Sequence, residues 1–216
     1  MEKRTFKDNI YNAIAGMTKA FSNANRLEIL DLLANGEKTV EQIAGQTAVT
    51  VANASQHLQV LKNARVVKSR REGNYILYTL NGQKAYAAWK ALRDLALEQE
   101  PMVQVTLQQF RREMDSPQSR SLEAMPGNDA LMFLDVRPAD EFAAGHLENA
   151  LPIPIAELPK RLGELPRHKT IVAYCRGPFC TFADEAVRLL KANGFDAVRL
   201  EENHLDINLN EEKWRN

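Results

Sequence analysis

The sequence predicts two domains in tandem: an α+β domain of short helices and one β-hairpin, then an α/β domain with a central parallel sheet. In the first half, apolar residues recur every three or four positions up to residue 63, and two β-rich runs follow. In the second half, short apolar strand-like runs alternate with helical patterns, as in parallel α/β sheets. The 216 residues are enough for both domains. We place them at 1–114 and 121–216, with a polar, proline-containing linker at 115–120.

Composition and charge are those of a globular protein with two unlike halves. Hydrophobic residues make up 44% of the chain, and no apolar run approaches the roughly 18–20 residues of a membrane span, so we expect no membrane partner. Two cysteines cannot build a disulfide framework, which favours a reducing, cytoplasmic compartment. Residues 1–120 carry 17 Lys and Arg against 12 Asp and Glu, whereas residues 121–216 carry 11 against 16. The basic half suggests an anionic polymer as its partner.

The first half contains a series of predicted helices. The run from Thr5 to Ala34 breaks near residues 22–25 and ends at the cap formed by residues 35–36. A short helix at 40–45 has a capping-box pattern at its start. The next helix follows Thr50 and extends to Asn63. Its predicted buried stripe is Val51, Ala54, Leu58 and Leu61.

The opposite face of that last helix carries amides, at Asn53, Gln56, Gln59 and Asn63. Amide side chains form paired hydrogen bonds to adenine edges in the major groove, although an ordinary polar surface is the alternative. Two β-rich runs follow at 65–71 and 75–80, and they predict a hairpin with a basic tip. A helix-turn-helix followed by such a hairpin is a winged helix, in which the helix contacts bases and the hairpin contacts phosphates. A basic hairpin alone is more often a solvated edge, so the order of elements favours DNA binding.

Residues 15–80 resemble the ArsR family of winged-helix transcriptional repressors. The matching runs are AFSNANRLEIL at 20–30, SQHLQVL at 55–61 and VKSRREGNY at 67–75. The resemblance implies a homodimer that binds double-stranded operator DNA. We take as DNA-binding candidates Thr50, Asn53, Ser55, Gln56, Gln59, Arg70 and Arg71.

The same resemblance implies that the terminal helices of this domain form the dimer interface. These are the N-terminal helix and the run from 82 to 114, which Pro101 kinks or interrupts. The second run has an apolar stripe at Ala85, Trp89, Leu92, Leu95 and Ala96. That stripe suits a dimer interface, and intramolecular core is the alternative.

The metal-binding residues of the metal-sensing ArsR members are absent from this sequence. Where those members have a Cys-x-Cys pair, this chain reads VEQIA at 40–44, and no cysteine precedes Cys175. The first half has one histidine, His57, which falls in the recognition-helix motif and suggests a structural or DNA-proximal role. We therefore expect no metal site and no cofactor.

The predicted elements of the second half alternate between helix and strand. Strands are expected at 131–136, 151–155, 170–174 and 197–200, and helices near 119–125, from 139, at 156–162 and at 181–193. Cys175 follows the 170–174 strand, where ligand sites of parallel sheets lie. Backbone N–H groups of the loop at 175–180 and the dipole of the next helix favour a thiolate there, and Arg176 adds a positive charge.

Residues 118–200 resemble the rhodanese family. The matches are LDVRP at 134–138, EF at 141–142, GHL at 145–147, Ala150, IP at 153–154 and YCRG at 174–177. The resemblance implies that Cys175 takes a sulfane sulfur from a small-molecule donor as a persulfide and passes it to a thiol acceptor. We take as catalytic candidates Cys175, Arg176, Gly177 and Cys180, and as structural residues near them Asp135, Arg137 and Glu141. The related phosphatases have a loop one residue longer that ends in Arg, and Thr181 occupies that position here, which disfavours phosphatase or arsenate-reductase activity.

Two features of this half leave alternatives open. Cys180 is either a small buried residue or a second thiol that attacks a Cys175 persulfide to close a bridge, and two thiols are too few for a closed zinc site. After residue 201 the sequence lacks the glycine-containing turn and the Trp-bearing helix that the rhodanese pattern predicts, and Trp214 comes later than expected. This departure argues against full sulfurtransferase turnover. The function is therefore a DNA-binding regulator that responds to sulfur chemistry, a sulfurtransferase with an accessory winged helix, or a regulator whose second domain only binds a ligand.

Overall fold

The structure is a computed structural model and describes residues 2–114, 119–125 and 130–207. The chain divides into two compact units, Met1–Gln99 and Glu100–Asn216. The predicted boundaries at 114 and 121 stay predictions, and the 101–113 helical segment that the sequence assigns to the first domain lies in the second unit.

The first unit is an α+β winged helix-turn-helix. Its elements are α1 (Lys3–Thr18), a 3₁₀ turn (Lys19–Phe21), α2 (Ala24–Leu33), α3 (Val40–Gln46), α4 (Val51–Asn63), β1 (Val67–Glu72), β2 (Tyr75–Leu80) and α5 (Gln83–Gln99). The break near residues 22–25 and the capping box of α3, formed by Thr39 and Gln42, are confirmed. The core that α2, α3 and α4 share contains Ile29, Leu30, Leu33, Ile43, Leu58 and Leu61.

The two strands of the first unit form the predicted hairpin. β1 pairs with β2 in antiparallel register, with Val67 opposite Leu80 and Glu72 opposite Tyr75. Gly73 turns the chain at a φ of 58°, a left-handed conformation that glycine adopts at little cost. The strand therefore includes Glu72, and the turn is one residue shorter than the sequence predicts.

One prediction about burial in the first unit was wrong, and for Trp89 the structure decides between the two alternatives. Val51 is 47% exposed because it is the first residue of α4, so the buried stripe of this helix begins at Ala54. Trp89 is buried and its indole Nε1 donates a hydrogen bond to Asp31 Oδ1 at 3.1 Å, so it belongs to the intramolecular core. The Leu92 and Leu95 side chains of the same predicted stripe are exposed.

The second unit is an α/β domain around one parallel sheet. Its elements are α6 (Pro101–Glu113), β3 (Ser119–Arg120), a 3₁₀ turn (Leu122–Ala124), β4 (Leu131–Asp135), α7 (Ala139–Ala144), β5 (Leu151–Pro152), α8 (Leu158–Arg161), a 3₁₀ turn (Leu162–Glu164), β6 (Thr170–Tyr174), α9 (Phe182–Ala192) and β7 (Ala197–Leu200). The strand order is β3-β7-β6-β4-β5, and every pairing is parallel. Apolar clusters cover both faces of the sheet, as parallel sheets require.

The predicted linker at 115–120 and the helix near 119–125 also need correction. Residues 119–120 form β3, which pairs with β7 at the edge of the sheet, and only residues 122–124 are helical, as a 3₁₀ turn. Residues 115–118 of the predicted linker, and Trp214, lie outside the described residues. No helix in the described ranges is long and apolar enough to cross a membrane.

Candidate functional site

The predicted base-contacting residues lie on one exposed face of α4. Thr50 is the N-cap, and its Oγ1 accepts a hydrogen bond from the Asn53 backbone N–H at 3.3 Å. The exposed side chains of this face are Asn53, Ser55, Gln56 and Gln59. Gln59 Nε2 also donates to Asn63 Oδ1 at 2.7 Å. Thr50 therefore has a structural role as the helix N-cap, while the side chains of the other candidates on this face lie outside the core.

His57 has a partner within the first unit. Its Nε2 lies 3.4 Å from Asn25 Nδ2, and because an amide nitrogen only donates, the imidazole nitrogen accepts. In the part of the chain that the structure describes, no group of three or more His, Cys, Asp or Glu could hold a metal ion. The contact ties α4 to the start of α2, which gives His57 a structural role.

The two arginines of the wing differ in their surroundings. Arg70 Nε donates to Glu37 Oε2 at 2.7 Å, and its guanidinium also pairs with Glu72. Arg71 Nε donates instead to the Gly73 carbonyl in the turn, at 3.1 Å. Two carboxylates already balance the charge of Arg70, so the positive charge at the tip is mainly that of Arg71.

In the second unit, Cys175 lies directly after β6 and only 2% of it is exposed. The next residues form a tight loop into α9, in which the Cys180 backbone N–H donates to the Gly177 carbonyl at 3.3 Å. Gly177 has a φ of 128°, which favours glycine over any other residue. Local backbone geometry therefore explains Gly177 as a residue that shapes the loop.

The carbonyl groups of this loop are held by side chains from three other segments. Asn203 Nδ2 donates to the Arg176 carbonyl at 2.9 Å, and Arg199 Nη2 donates to the Gly177 carbonyl at 2.7 Å. Arg111 Nη2, from α6, lies 3.5 Å from the Pro178 carbonyl. These contacts hold the loop backbone around Cys175, whose Sγ lies 3.9 Å from the Gly177 carbonyl oxygen and 3.4 Å from the Cys180 carbonyl oxygen.

The environment of Cys175 favours its thiolate. Burial by itself raises the pKa of this thiol, but a hydrogen bond from the Cys180 thiol, the charge of Arg199, and the backbone N–H groups of Ala183 and Gly177 lower it to about 6. The hydrogen bond to Cys175, together with burial, raises the pKa of Cys180 well above its ordinary value. The surroundings of the loop therefore favour ionisation of Cys175 over ionisation of Cys180.

This arrangement predicts the pH dependence of the Cys175 charge. The thiolate should form as pH rises through about 6 and be lost below it, well under the ordinary range of a thiol. The ultraviolet absorbance of the thiolate, taken as wild type minus Cys175→Ser, measures this directly. Cys180→Ala removes the S–H donor and should move the midpoint upward. A wild-type midpoint in the ordinary thiol range would contradict the prediction.

Asp135 and Arg137 form a buried pair at the start of the first βα turn. Arg137 Nη2 donates to Asp135 Oδ2 at 2.6 Å, and neither side chain is exposed. Arg137 Nη1 lies 3.1 Å from His204 Nδ1, and since arginine only donates, that imidazole nitrogen accepts. Burial, with the charge of Arg137, lowers the pKa of His204 to about 4, so the ring is neutral. These contacts support a structural role for Asp135 and Arg137.

Glu141 and Arg176 form a second buried pair. Arg176 Nη2 donates to Glu141 Oε1 at 2.7 Å, and Arg176 Nε lies 2.9 Å from Oε2. The sequence predicts that Arg176 supports the thiolate by its charge. In the structure its guanidinium is bonded to Glu141, and Arg199 is the cation that lowers the pKa of Cys175. Arg176 therefore also anchors the loop to α7.

Sequence reasoning missed four residues around the loop, namely Arg111, Arg199, Asn203 and His204. One signal was available for Arg199, because a charged residue in the middle of a short apolar strand is costly to bury unless it is paired. It is fully buried, and its partner is Asp184, whose Oδ2 lies 3.2 Å from Arg199 Nε. Asn203 and His204 lie in the segment that departs from the rhodanese pattern, where residues 204–207 form a helical turn. No local pattern points to Arg111.

Comparisons with known proteins match both units. The family model of the rhodanese-like domain matches residues 118–205, and that of bacterial regulatory proteins of the arsR family matches residues 23–69. The HTH-type transcriptional regulator Rv0324 of Mycobacterium tuberculosis is 37% identical over 205 residues, which cover 94% of this chain and 90% of that protein.

Two further relatives match one unit each. A solution structure of the homodimeric winged helix-turn-helix DNA-binding domain Mb0332 (fragment 1–100) from Mycobacterium bovis is 36% identical, covers 46% of this chain and 91% of its own, and has a TM-score of 0.43. The tRNA uridine(34) hydroxylase of Escherichia coli is 36% identical over 87 residues, 38% of this chain and 24% of that enzyme. With a relative that matches nearly the whole chain and a family model in each unit, this protein belongs to the HTH-type transcriptional regulators that join an arsR-family winged helix to a rhodanese-like domain.

Proposed function

We propose that this regulator binds duplex operator DNA as a homodimer, and that sulfane sulfur at Cys175 controls its binding. One observation carries the sulfur half of the proposal. Cys175 lies almost fully buried directly after β6, where Cys180, Arg199 and backbone N–H groups of the loop hold the pKa of its thiol at about 6. A structural cysteine would be a neutral thiol in such a buried place, whereas a nucleophile requires the thiolate.

The DNA half is supported by the exposed face of α4 and by the wing. Asn53, Gln56 and Gln59 are exposed amides on one helix, and this helix follows the turn after α3 as a recognition helix does. Arg71 lies at the end of the hairpin, where a wing contacts phosphates. The relative that matches nearly the whole chain is an HTH-type transcriptional regulator by name, which favours operator DNA as the partner and the cytoplasm as the place of action.

Homodimerisation is supported by α1. None of its side chains is buried within the chain, yet one face of it is apolar. The exposed apolar residues are Phe6, Ile10, Ile14 and Met17, and α5 adds Leu92 and Leu95. A helix that buries no side chain is marginally stable in water, so α1 requires a partner surface, and a second copy of the chain supplies one.

The proposed sulfur chemistry begins with an attack by the Cys175 thiolate. With an inorganic polysulfide as donor, Cys175 Sγ bonds to a sulfane sulfur and the rest of the polysulfide leaves with the electron pair of the broken S–S bond. The product is a Cys175 persulfide, whose outer sulfur passes to a small thiol acceptor. No metal or other cofactor takes part in these steps.

The DNA contacts predict two distinguishable mutational effects. Gln56→Ala should cost about 1–3 kcal/mol of operator binding and relax base specificity, because one paired hydrogen bond to a base is lost. Arg71→Ala should weaken binding to all sequences and reduce the salt dependence by about one phosphate contact. Fluorescence anisotropy with operator and unrelated duplexes over a salt series measures both.

The exposed amide Gln108 of α6 provides the control for these variants, because Gln108→Ala changes the same kind of side chain away from α4. Its operator affinity should equal that of the wild type. If Gln56→Ala and Arg71→Ala also bind as the wild type does, α4 and the wing are not the DNA surface.

A sulfurtransferase with an accessory winged helix is the second candidate. The same thiolate favours it, since the arrangement around Cys175 serves turnover as well as sensing. The two candidates differ in one measurement: an enzyme cycles many sulfur atoms per chain without any change in operator affinity. The near-complete burial of Cys175 favours the regulator, because large acceptors reach the sulfur poorly.

A further inference from the structure

Cys180 occupies the position of an internal acceptor for sulfur held at Cys175. Both cysteines lie in the one loop between β6 and α9, and Cys175 Sγ lies 3.4 Å from the Cys180 carbonyl oxygen. Cys175 is 2% exposed, whereas Cys180 is half-buried. A sulfur on Cys175 is therefore close to Cys180 within the same loop, whereas an external thiol first has to enter the loop.

From this geometry we infer that Cys180 is a resolving thiol, which converts a Cys175 persulfide into a Cys175–Cys180 disulfide and releases sulfide. The inference rests on the proposed persulfide at Cys175. Holding two reacting groups together turns a bimolecular step into a unimolecular one, which gives the internal thiol a large advantage over dilute external thiols.

The step balances without any additional oxidant. Cys180 Sγ attacks Cys175 Sγ, the bond between Cys175 Sγ and the outer sulfur breaks, and that outer sulfur leaves with the bonding electron pair. The proton of the Cys180 thiol goes to the leaving sulfur, which departs as HS⁻. The Cys180 sulfur is oxidised to the disulfide level and the outer sulfur is reduced to sulfide. A dithiol reductant then restores the two thiols.

The disulfide differs from the persulfide in charge. The resting thiolate and the persulfide anion each put one negative charge in the loop, whereas the disulfide carries none. Arg199, which donates to the Gly177 carbonyl, and Arg111, which approaches the Pro178 carbonyl, lie around that charge. Closing the disulfide therefore removes the anion that these two guanidinium groups face, which simple persulfide formation does not do.

Intact mass spectrometry of the full chain after anaerobic treatment with inorganic polysulfide tests the inference. We expect the wild type to lose two hydrogen atoms and to hold no additional sulfur, and Cys180→Ser to gain one sulfur atom that reacts with an alkylating agent. Conversion of persulfide to disulfide should follow first-order kinetics that do not depend on protein concentration, as an intramolecular step requires.

Two other outcomes separate this inference from the proposed function. A wild type that keeps one added sulfur and a free Cys180 thiol over the same time overturns the resolving role and leaves the persulfide standing. If Cys180→Ser gains no sulfur and the wild type is also unchanged, the proposed persulfide chemistry itself is wrong. Cys175→Ser serves as the control and should neither gain sulfur nor form the disulfide.

Discussion

Polysulfide treatment should weaken operator binding by about fivefold or more, since allosteric couplings in proteins are typically about 1–3 kcal/mol. The predicted DNA-contacting residues and the two cysteines belong to different compact units, so the effect has to pass from one unit to the other. A ligand shifts such an equilibrium only as far as its interactions with the two states differ. Loss of the negative charge at Cys175 is the difference that we expect to matter.

Helix α6 is the segment through which this change can pass. A single residue, Glu100, separates it from the end of α5, and it carries Arg111. Arg111 contacts the Pro178 carbonyl of the loop and Ser119 Oγ, the latter at 3.2 Å. Within the described residues, its Nε is buried without an acceptor, which costs about 1–3 kcal/mol.

Three variants test this coupling in one titration of reduced and polysulfide-treated protein with operator DNA. Cys175→Ser should bind DNA normally and show no response. Arg111→Ala should still form the Cys175–Cys180 disulfide, by mass spectrometry, but lose most of the change in DNA affinity. The exposed neighbour Arg112 is the matched control, and Arg112→Ala should respond as the wild type does. Equal operator affinity of reduced and treated wild type would mean that the two units are merely tethered, and it would favour the sulfurtransferase.

Glu141→Ala should lower the free energy of unfolding by about 3–5 kcal/mol, the usual cost of removing one partner of a buried ion pair. Glu141 is fully buried and only 10% of the Arg176 side chain is exposed, so the substitution leaves a buried guanidinium without its carboxylate. The loop should also lose its anchor to α7, and the Cys175 thiolate should form less readily.

Chemical denaturation of the full chain, followed by circular dichroism, measures this loss. Glu148→Ala provides the control, because Glu148 is an exposed carboxylate in the same part of the domain and its removal should change the stability little. An equally stable Glu141→Ala protein would show that Arg176 gains another partner, and it would weaken the case that this pair holds the loop.

Patterns within a few residues predict most of the helices and strands. The capping box at Thr39 and the break before α2 are local features, and both are confirmed. β-Branched and apolar runs likewise predict β4, β6 and β7, because strands that are buried on both faces consist mostly of such residues. Short elements were predicted less well. Residues 119–120 form a strand because they pair with β7, and no local sequence pattern indicates that pairing.

By itself, the sequence determined that two unlike domains follow each other and that both thiols lie in one loop after a strand. Tertiary structure alone decided what surrounds that loop, because β7 lies beside β6 in the sheet and places Arg199, 22 residues from Gly177, against its carbonyl. It also pairs Arg176 with Glu141, 35 residues away, and Arg137 with His204, 67 residues away. Hydrogen bonds that close helices and turns join residues that are near each other in the chain, so short sequence patterns predict them. The Arg199 charge that lowers the pKa of Cys175 comes from a distant segment, and the order of strands in the sheet brings it to the loop.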